Sequence, residues 1–565
     1  MNNEEFDLEE LAPWLVTLIT LVGVVLRVFL LGNKGMWLDE TASVWLANHS
    51  IPDMLQWVAR IDPHPPLYYF LLHYWIALNG DTPNSVRLLS ALFSAATIPI
   101  IYLIGKRMSG AVVGLAATVF LALSPFNIYF AQEARMYTLL MFNAALAIYA
   151  LVRLLTDPRS AQPIGSQFLE YLRAWRTSGS VESEAKADFS YRDKSRDRTG
   201  WRAWTSRHRW LPIQAVETDL TWIAFILFSA ATLLTHNTAV FFPLATNIFV
   251  LGLMLYQRIK KSDSQPALQA PSLGNWVKAQ IVIFILWSPW ILAFIQQARR
   301  VNQEFWLPPP NWDTVTQTLR YLLNNLVPNQ ASQIMMWILY ALLCLGLVYY
   351  RKKLSIFLFL VALFATPFLG ELIVSIRRPI FLDKTLIWIT IPLFLMLAAG
   401  IAQLRFRVLM IVVIGTLSVN YFFSDGDYYR LVQKEDWSSA VSEVVAFVEK
   451  DDLVLFNSNF VEIPFDYYVK TLNPLSVQVE KFSQVEKQGV PEDLFESGIL
   501  EPKMTNTDVP KLITLLRGHK RVWLVYSHNW YTDPTGLIPQ TLASQMKLIR
   551  QNDFYGVQVQ LYGTP

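Results

Sequence analysis

Apolar residues fall along the chain in eleven long runs, roughly 11–31, 87–105, 110–128, 137–155, 220–237, 239–257, 277–295, 333–350, 354–374, 385–403 and 407–424. A bilayer core takes about 20 apolar residues as helix. Lipid satisfies no backbone polar group, so each run predicts a membrane-spanning helix. Between the first two runs lies a polar and aromatic loop, 32–86, in which Pro65-Pro66 leads into a helix over Leu67–Trp75 lying at the interface. After Phe423 the period changes. Ala440, Val441, Val444, Val445 and Val448 recur at helical spacing, with Asp436 placed to cap that helix. Leu453–Phe456, Val522–Tyr526 and Val557–Leu561 read as strands.

The predicted fold is therefore mainly α: a polytopic membrane helix bundle of about eleven spans with a small α/β C-terminal domain. The chain divides into a membrane module 1–156, an insertion 157–219, the remaining spans 220–424 and the α/β domain 425–565. The insertion mixes Arg and Lys with acids, Ser and Gly and lacks apolar periodicity. It reads as a disordered segment with an amphipathic helix near Phe168–Trp175, or as a partner-docking loop.

Cations orient the bundle. One set of loops holds Lys106-Arg107, the Arg-rich insertion, Arg258 with Lys260-Lys261, Arg351-Lys352-Lys353, and Arg405 with Arg407; the other set holds far fewer. The positive-inside rule puts the N-terminus in the cytoplasm and the C-terminal domain outside. The Asp39-Glu40, Gln132-Glu133-Ala134-Arg135-Met136-Tyr137, His236-Asn237, Trp306 with Pro308-Pro309-Pro310, and Arg377-Arg378 segments then share the outer face.

Composition agrees with a membrane protein. The 565 residues are 53% hydrophobic, and only 16% are charged, against about 25% in soluble chains. Twenty Trp and 23 Tyr suit a protein with two membrane interfaces to furnish. A net charge of +3 gives no basis for binding nucleic acid. Cys344 is the only cysteine, so no intrachain disulfide forms. The acidic N-terminus lacks a small-residue cleavage site, and the first run is expected to stay as an anchor.

The chemistry concentrates on that outer face. Adjacent carboxylates at a membrane boundary are costly unless solvated, paired or in use. Asp39 and Glu40 are the catalytic candidates, since an acceptor hydroxyl needs a base to take its proton. Were the other substrate a sugar on a lipid phosphate, the leaving group would need cations, and arginine binds phosphate oxygens bidentately. Arg87, Arg135, Arg377, Arg378 and Lys384 are the candidates, with Arg135 and Arg378 foremost. Asp62, His64 and His236 could supply ligands to a divalent metal, though their spacing is no recognised metal pattern. A histidine hydrogen-bonding substrate or backbone is the competing reading. His528-Asn529-Trp530 follows a strand and reads as a surface loop in preference to a contact loop.

The stretch L-R-V-F-L-L-G-N-K-G-M-W-L-D-E, followed by D-P-H-P-P-L-Y-Y-F-L-L-H-Y-W and A-Q-E-A-R-M-Y-T-L-L, resembles the N-terminal half of polytopic GT-C glycosyltransferases. Within them it is similar to glycosyltransferase family 39: the protein O-mannosyltransferase and aminoarabinose transferase group, with the bacterial galacturonosyl-transferase-like members. The likeness runs from Arg27 to about Leu140 and continues weakly through T-H-N-T-A-V-F-F and R-R-P-I-F-L-D-K.

The resemblance implies a polyprenyl-phosphate sugar donor and transfer with inversion to an acceptor hydroxyl. It leaves open whether that acceptor is lipid, polysaccharide or protein. It makes Asp39 the base and Glu133, Arg135 and Tyr137 the second outer motif, and it puts Arg377-Arg378 near the lipid phosphate. Where relatives carry Pro-Arg-Tyr, this chain has Leu382-Asp383-Lys384. A bacterial inner membrane is the implied location. The alternative is a transporter or flippase of lipid-linked sugars. That reading predicts inverted repeats and broken helices at the midplane, and neither is visible in the sequence.

Overall fold

The computed structural model describes residues 8–62, 64–170, 216–259, 267–300, 308–324, 326–327, 330–472, 477–492 and 502–564. Among the described residues, nine helices are long and apolar enough to cross a membrane. Two further helices, α6 (Ala111–Leu123) and α7 (Pro125–Ala131), are apolar enough when taken together and are bent by 55° at their junction. The bend has a local cause. Pro125 lacks an N–H and disfavours helical backbone at Ser124, whose hydroxyl instead caps α7 at the Asn127 N–H (3.3 Å). The helix Glu217–Leu233 is apolar too, but has only 17 residues. With it, helices cover all eleven expected runs.

The first span, α1 (Leu8–Val28), turns apolar side chains outward; Trp14 is 75% exposed and Leu18 59%. Its burial is low because its solvent is lipid. Around α1, the helices α5 (Pro83–Ser109), α6 and α8 (Tyr137–Thr156) pack together, and α5 is buried over most of its length. A Cβ on Gly105 would come within 2.7 Å of the Gly114 backbone, so this close α5–α6 approach needs small residues.

Three short helices occupy the loop between α1 and α5: α2 (Leu38–Ala47), α3 (Ile51–Ile61) and α4 (Leu67–Asn79). The predicted interfacial helix is α4, ended by Gly80 at φ +77°, a left-handed position that favours glycine. The described ends of the insertion are tied down: the Asp219 carboxylate accepts the Gly165 and Phe168 N–H groups at 2.8 and 3.0 Å. Most of the amphipathic helix expected near Phe168–Trp175 lies outside the described residues.

Beyond the last span, Arg407–Leu431, a short linker leads to the helix Trp437–Phe447, capped by the Asp436 carboxylate on Ser439 N–H (3.1 Å). Five strands follow: β1 (Leu453–Phe456), β2 (Glu486–Gly489), β3 (Arg521–Ser527), β4 (Lys547–Phe554) and β5 (Val557–Gly563). Their order is β2-β1-β3-β5-β4, with β1 parallel to β2 and β3, and β5 antiparallel to both its neighbours. One sheet face packs Val454, Phe456 and Trp523 against the Trp437–Phe447 helix; the other packs Leu455 and Leu524 against helices Val509–Leu516 and Leu537–Gln545. The sheet domain docks on the first loop. Tyr468 accepts the Met36 N–H (2.6 Å), and Tyr467 donates to the Asp81 carbonyl (2.8 Å).

Candidate active site

Asp39 and Glu40 occupy the first turn of α2. Successive helical residues point about 100° apart, so neighbouring carboxylates enter different surroundings. Glu40 turns inward and is fully buried. The Arg87 guanidinium, on α5, grips it with two hydrogen bonds (2.8 and 2.7 Å), and the Ala134 N–H (2.9 Å) and Lys434 ammonium (3.2 Å) also reach it. Arg87 spends its other donors on the carbonyls of Leu31, Lys34 and Gly35 at 2.8–3.0 Å. All five guanidinium N–H groups are thereby used. Burial opposes ionisation of Glu40, but Arg87 and Lys434 outweigh it and hold the carboxyl low.

The Gln132–Tyr137 segment latches three helices together. Gln132 donates to the Arg27 and Phe29 carbonyls at the end of α1 (3.1 and 2.7 Å). Glu133 is buried 3.3 Å from Lys434; burial pushes its carboxyl up against the pull of that cation. Arg135 donates to the Asp39 carbonyl, the Ser43 hydroxyl and the Tyr69 hydroxyl (3.2, 3.0 and 3.3 Å). Tyr137 opens α8.

Asp39 turns the other way, into a cavity of about 350 Å³. Its side chain is 30% exposed, with Lys384 at 3.6 Å and Arg135 at 4.0 Å. Burial raises the cost of its charge, but Arg135, Lys384 and His528 more than compensate and keep the carboxyl below its ordinary value. The cavity thus pairs an ionised carboxylate with two cations that are close but not locked on. Lys384 also lies over the rings of Trp37 and Tyr137, at 5.7 and 5.6 Å from their centroids.

His64 and His236 form the next stretch of wall, ring centroids 4.6 Å apart. Burial lowers both imidazoles, His236 to about 3 and His64 well below its ordinary value, and the nearby Arg135 adds to each shift. Both rings are neutral at pH 7. The carboxylate of Asp62 accepts from Tyr69 O–H (2.6 Å) and His64 N–H (2.9 Å), and burial pushes it up. Among the described residues no group of three His, Cys, Asp or Glu side chains is placed to hold a metal. Asp62, His64 and His236 do not fit one.

Of the remaining sequence candidates, Lys384 lines the cavity, while Arg377 and Arg378 do not. Arg377 is exposed, and Arg378 donates to the Ala298 carbonyl (2.8 Å). Sequence reasoning missed Lys434, whose only trace is a Lys-Glu-Asp run beyond the last apolar stretch. It preferred a surface reading for the loop that supplies part of the sheet domain's wall, and missed the rest: Phe460, His528, Trp530 and Tyr531 line the same cavity as His64. The segment read as a surface loop holds its place because His528 Nε2 meets Glu435 (3.0 Å), and the same carboxylate accepts the Leu38 N–H (3.0 Å) at the start of α2.

The whole arrangement is similar to the crystal structure of ArnT from Cupriavidus metallidurans in the apo state. The two superpose with a TM-score of 0.56 over 97% of this chain and 98% of that one, at 11% sequence identity. The chain has the GT-C glycosyltransferase fold. The GT-C likeness extends to ArnT from the same organism bound to undecaprenyl phosphate, with a TM-score of 0.50, 11% identity and the same coverage. Residues 63–168 match the family model described as dolichyl-phosphate-mannose-protein mannosyltransferase. That match takes in Arg87 and Gln132–Tyr137 of the GT-C scaffold and leaves out Asp39, Lys384 and the sheet domain. No curated protein matches the chain. With nine helices among the described residues long and apolar enough to cross a membrane, and with this fold, the protein is an integral membrane protein.

Proposed function

We propose that the protein is a membrane glycosyltransferase that moves a sugar from a polyprenyl phosphate to an acceptor hydroxyl. One observation carries the reading: a solvent-reached carboxylate, Asp39, shares its cavity with Lys384 and Arg135 at 3.6 and 4.0 Å. At those distances a donor phosphate can take over both cations and leave Asp39 free as base. The acceptor O–H then gives its proton to Asp39 while its oxygen bonds to the anomeric carbon. The bond from that carbon to phosphate breaks, its electron pair stays on the phosphate, and Lys384 and Arg135 stabilise the growing charge. A single displacement inverts the anomeric centre.

In this reading Glu40 and Arg87 hold α2 in place and do not touch substrate, because every donor of Arg87 is already spent. His64, His236, Tyr137 and Glu133 serve the sugar side or the scaffold behind it. The bound undecaprenyl phosphate of the ArnT structure supports a lipid-phosphate donor. The cation asymmetry of the loops supports an N-terminus inside and the cavity and sheet domain on the extracytoplasmic face; the family resemblance of the N-terminal motifs supports a bacterial inner membrane as the location.

The test is transfer by purified protein reconstituted in lipid. Asp39→Asn is expected to bind undecaprenyl phosphate normally and to transfer no sugar; normal turnover would remove Asp39 from the role of base. Reporter fusions after Lys106, Arg351 and Leu431 are expected to read inside, inside and outside.

A further inference from the structure

The cavity's charges are few and already allotted. Among the described residues its walls hold two permanent cations, Lys384 and Arg135, and both face Asp39. In the transferase reading, on which this inference rests, the lipid phosphate takes them. Among the described residues no further Lys or Arg is left there for a second anion. A carboxylate on the sugar would compete with the phosphate for the same pair.

An amine fares no better. It would enter beside two cations, and the other carboxylate of the described lining, Asp62, already accepts from Tyr69 and from the His64 N–H. Glu40 and Glu133 lie behind the wall, joined to Lys434.

What the wall does offer is neutral. Trp37 Nε1, His64 Nδ1 and His236 Nε2 are buried without a hydrogen-bond partner. The tautomer of His236 follows from its neighbour: Nδ1 accepts the Thr238 N–H (3.1 Å), so the proton of the neutral ring sits on Nε2, a donor with nothing to donate to. The indole of Trp37 is a second such donor. Buried donors left unmade are costly, and a hydroxyl can relieve them while also donating in return. Phe460, Trp530 and Tyr531 add flat aromatic surface to the same lining, suited to the C–H face of a pyranose or furanose ring.

We infer that the cavity is built for an uncharged sugar: the glycosyl group taken from the lipid phosphate carries hydroxyls at the positions facing His64, His236 and Trp37, and neither a carboxylate nor an amine.

The experiment is competition binding on the full chain in lipid nanodiscs. The probes are bare undecaprenyl phosphate and undecaprenyl phosphates carrying neutral hexoses (glucose, galactose, mannose), their uronic acids and their amino sugars. The best neutral donor is expected to bind at least tenfold more tightly than every charged one. His236→Phe is expected to weaken that donor about tenfold and to leave bare undecaprenyl phosphate within twofold. His64→Leu provides the same split should His236→Phe fail to fold. A charged donor that binds as well as the best neutral one overturns the inference. So does a histidine variant that loses bare lipid phosphate and sugar donor equally. Failure of bare undecaprenyl phosphate to bind wild-type protein overturns the donor reading itself, and the sugar preference with it.

Discussion

Asp39 and Glu40 share a helical turn but meet their cations in opposite ways. Glu40 is dry, gripped at 2.7–2.8 Å by Arg87, and backed by a backbone N–H and by Lys434. Asp39 is part-exposed, and its cations stand off at 3.6 and 4.0 Å. The first cluster joins the segment after α1, α2, α5, the Gln132–Tyr137 turn and the final linker, so its charges are locked where the chain segments meet. Removing one partner of such a pair strands a buried charge. The second cluster can exchange partners, because water and a substrate phosphate can replace any one contact there. Strong pairing and chemical availability exclude each other, and this chain puts one on each side of the same helix.

The comparison can be broken by mutation. Arg87→Ala is expected to have the largest effect. It leaves Glu40 with only Lys434 and the Ala134 N–H and strands three loop carbonyls, at a cost of about 3–5 kcal/mol, seen as a steep loss of melting temperature and of monodisperse protein in detergent. Wild-type melting in that variant would show that the cluster locks nothing. Asp39→Asn should do the reverse: melting unchanged, and transfer down by roughly 10²–10⁴, the usual share of a general base. Lys384→Ala should cost about 10²–10³ in transfer rate. Arginine there should recover only part of the loss, since its fork does not fit a site shaped by Trp37 and Tyr137.

Arg378→Ala should change transfer by less than about threefold, as expected for a side chain away from the cavity. The smallest effect is in pH. Asp39 is held below its ordinary value of 3.8, so it stays ionised and able to accept a proton above that value and fails only as the pH falls through its depressed one. His236, lowered to about 3, is neutral over the same range. The acid limb of the pH–rate profile should therefore be flat from about pH 8 down to about pH 5. An acid limb with a midpoint near 6 would assign the base to another group.

Much of the architecture is legible without coordinates, for a plain reason. Lipid demands long unbroken apolar runs, and each such run is local in sequence. The cap at Asp436 and the buried strands β1, β3 and β5 are equally local, whereas the break at Ser124-Pro125 lies inside a run that the apolar pattern reads as one span. The strands β2 and β4 were not legible. They are edge strands reading E-K-Q-G and K-L-I-R-Q-N-D-F, with one side open to water and no apolar pattern to betray them.

The motifs around Asp39 and Arg135 also announce themselves as polar residues between membrane spans. Their division of labour does not. Which of two adjacent acids meets the cavity depends on the rotation of α2. That rotation is set by Arg87, 47 residues away, and by Lys434 and Glu435, nearly 400 residues away. Lys384 reaches the cavity and Arg378 does not, though both belong to one outer segment. A loop of the sheet domain that reads as surface becomes a wall of the cavity because that domain docks on the first loop. Local hydrophobic pattern carries the burial of each segment, since burial is a property of single side chains. Charge pairing is a property of two, and distant partners meet only once the chain has closed on itself.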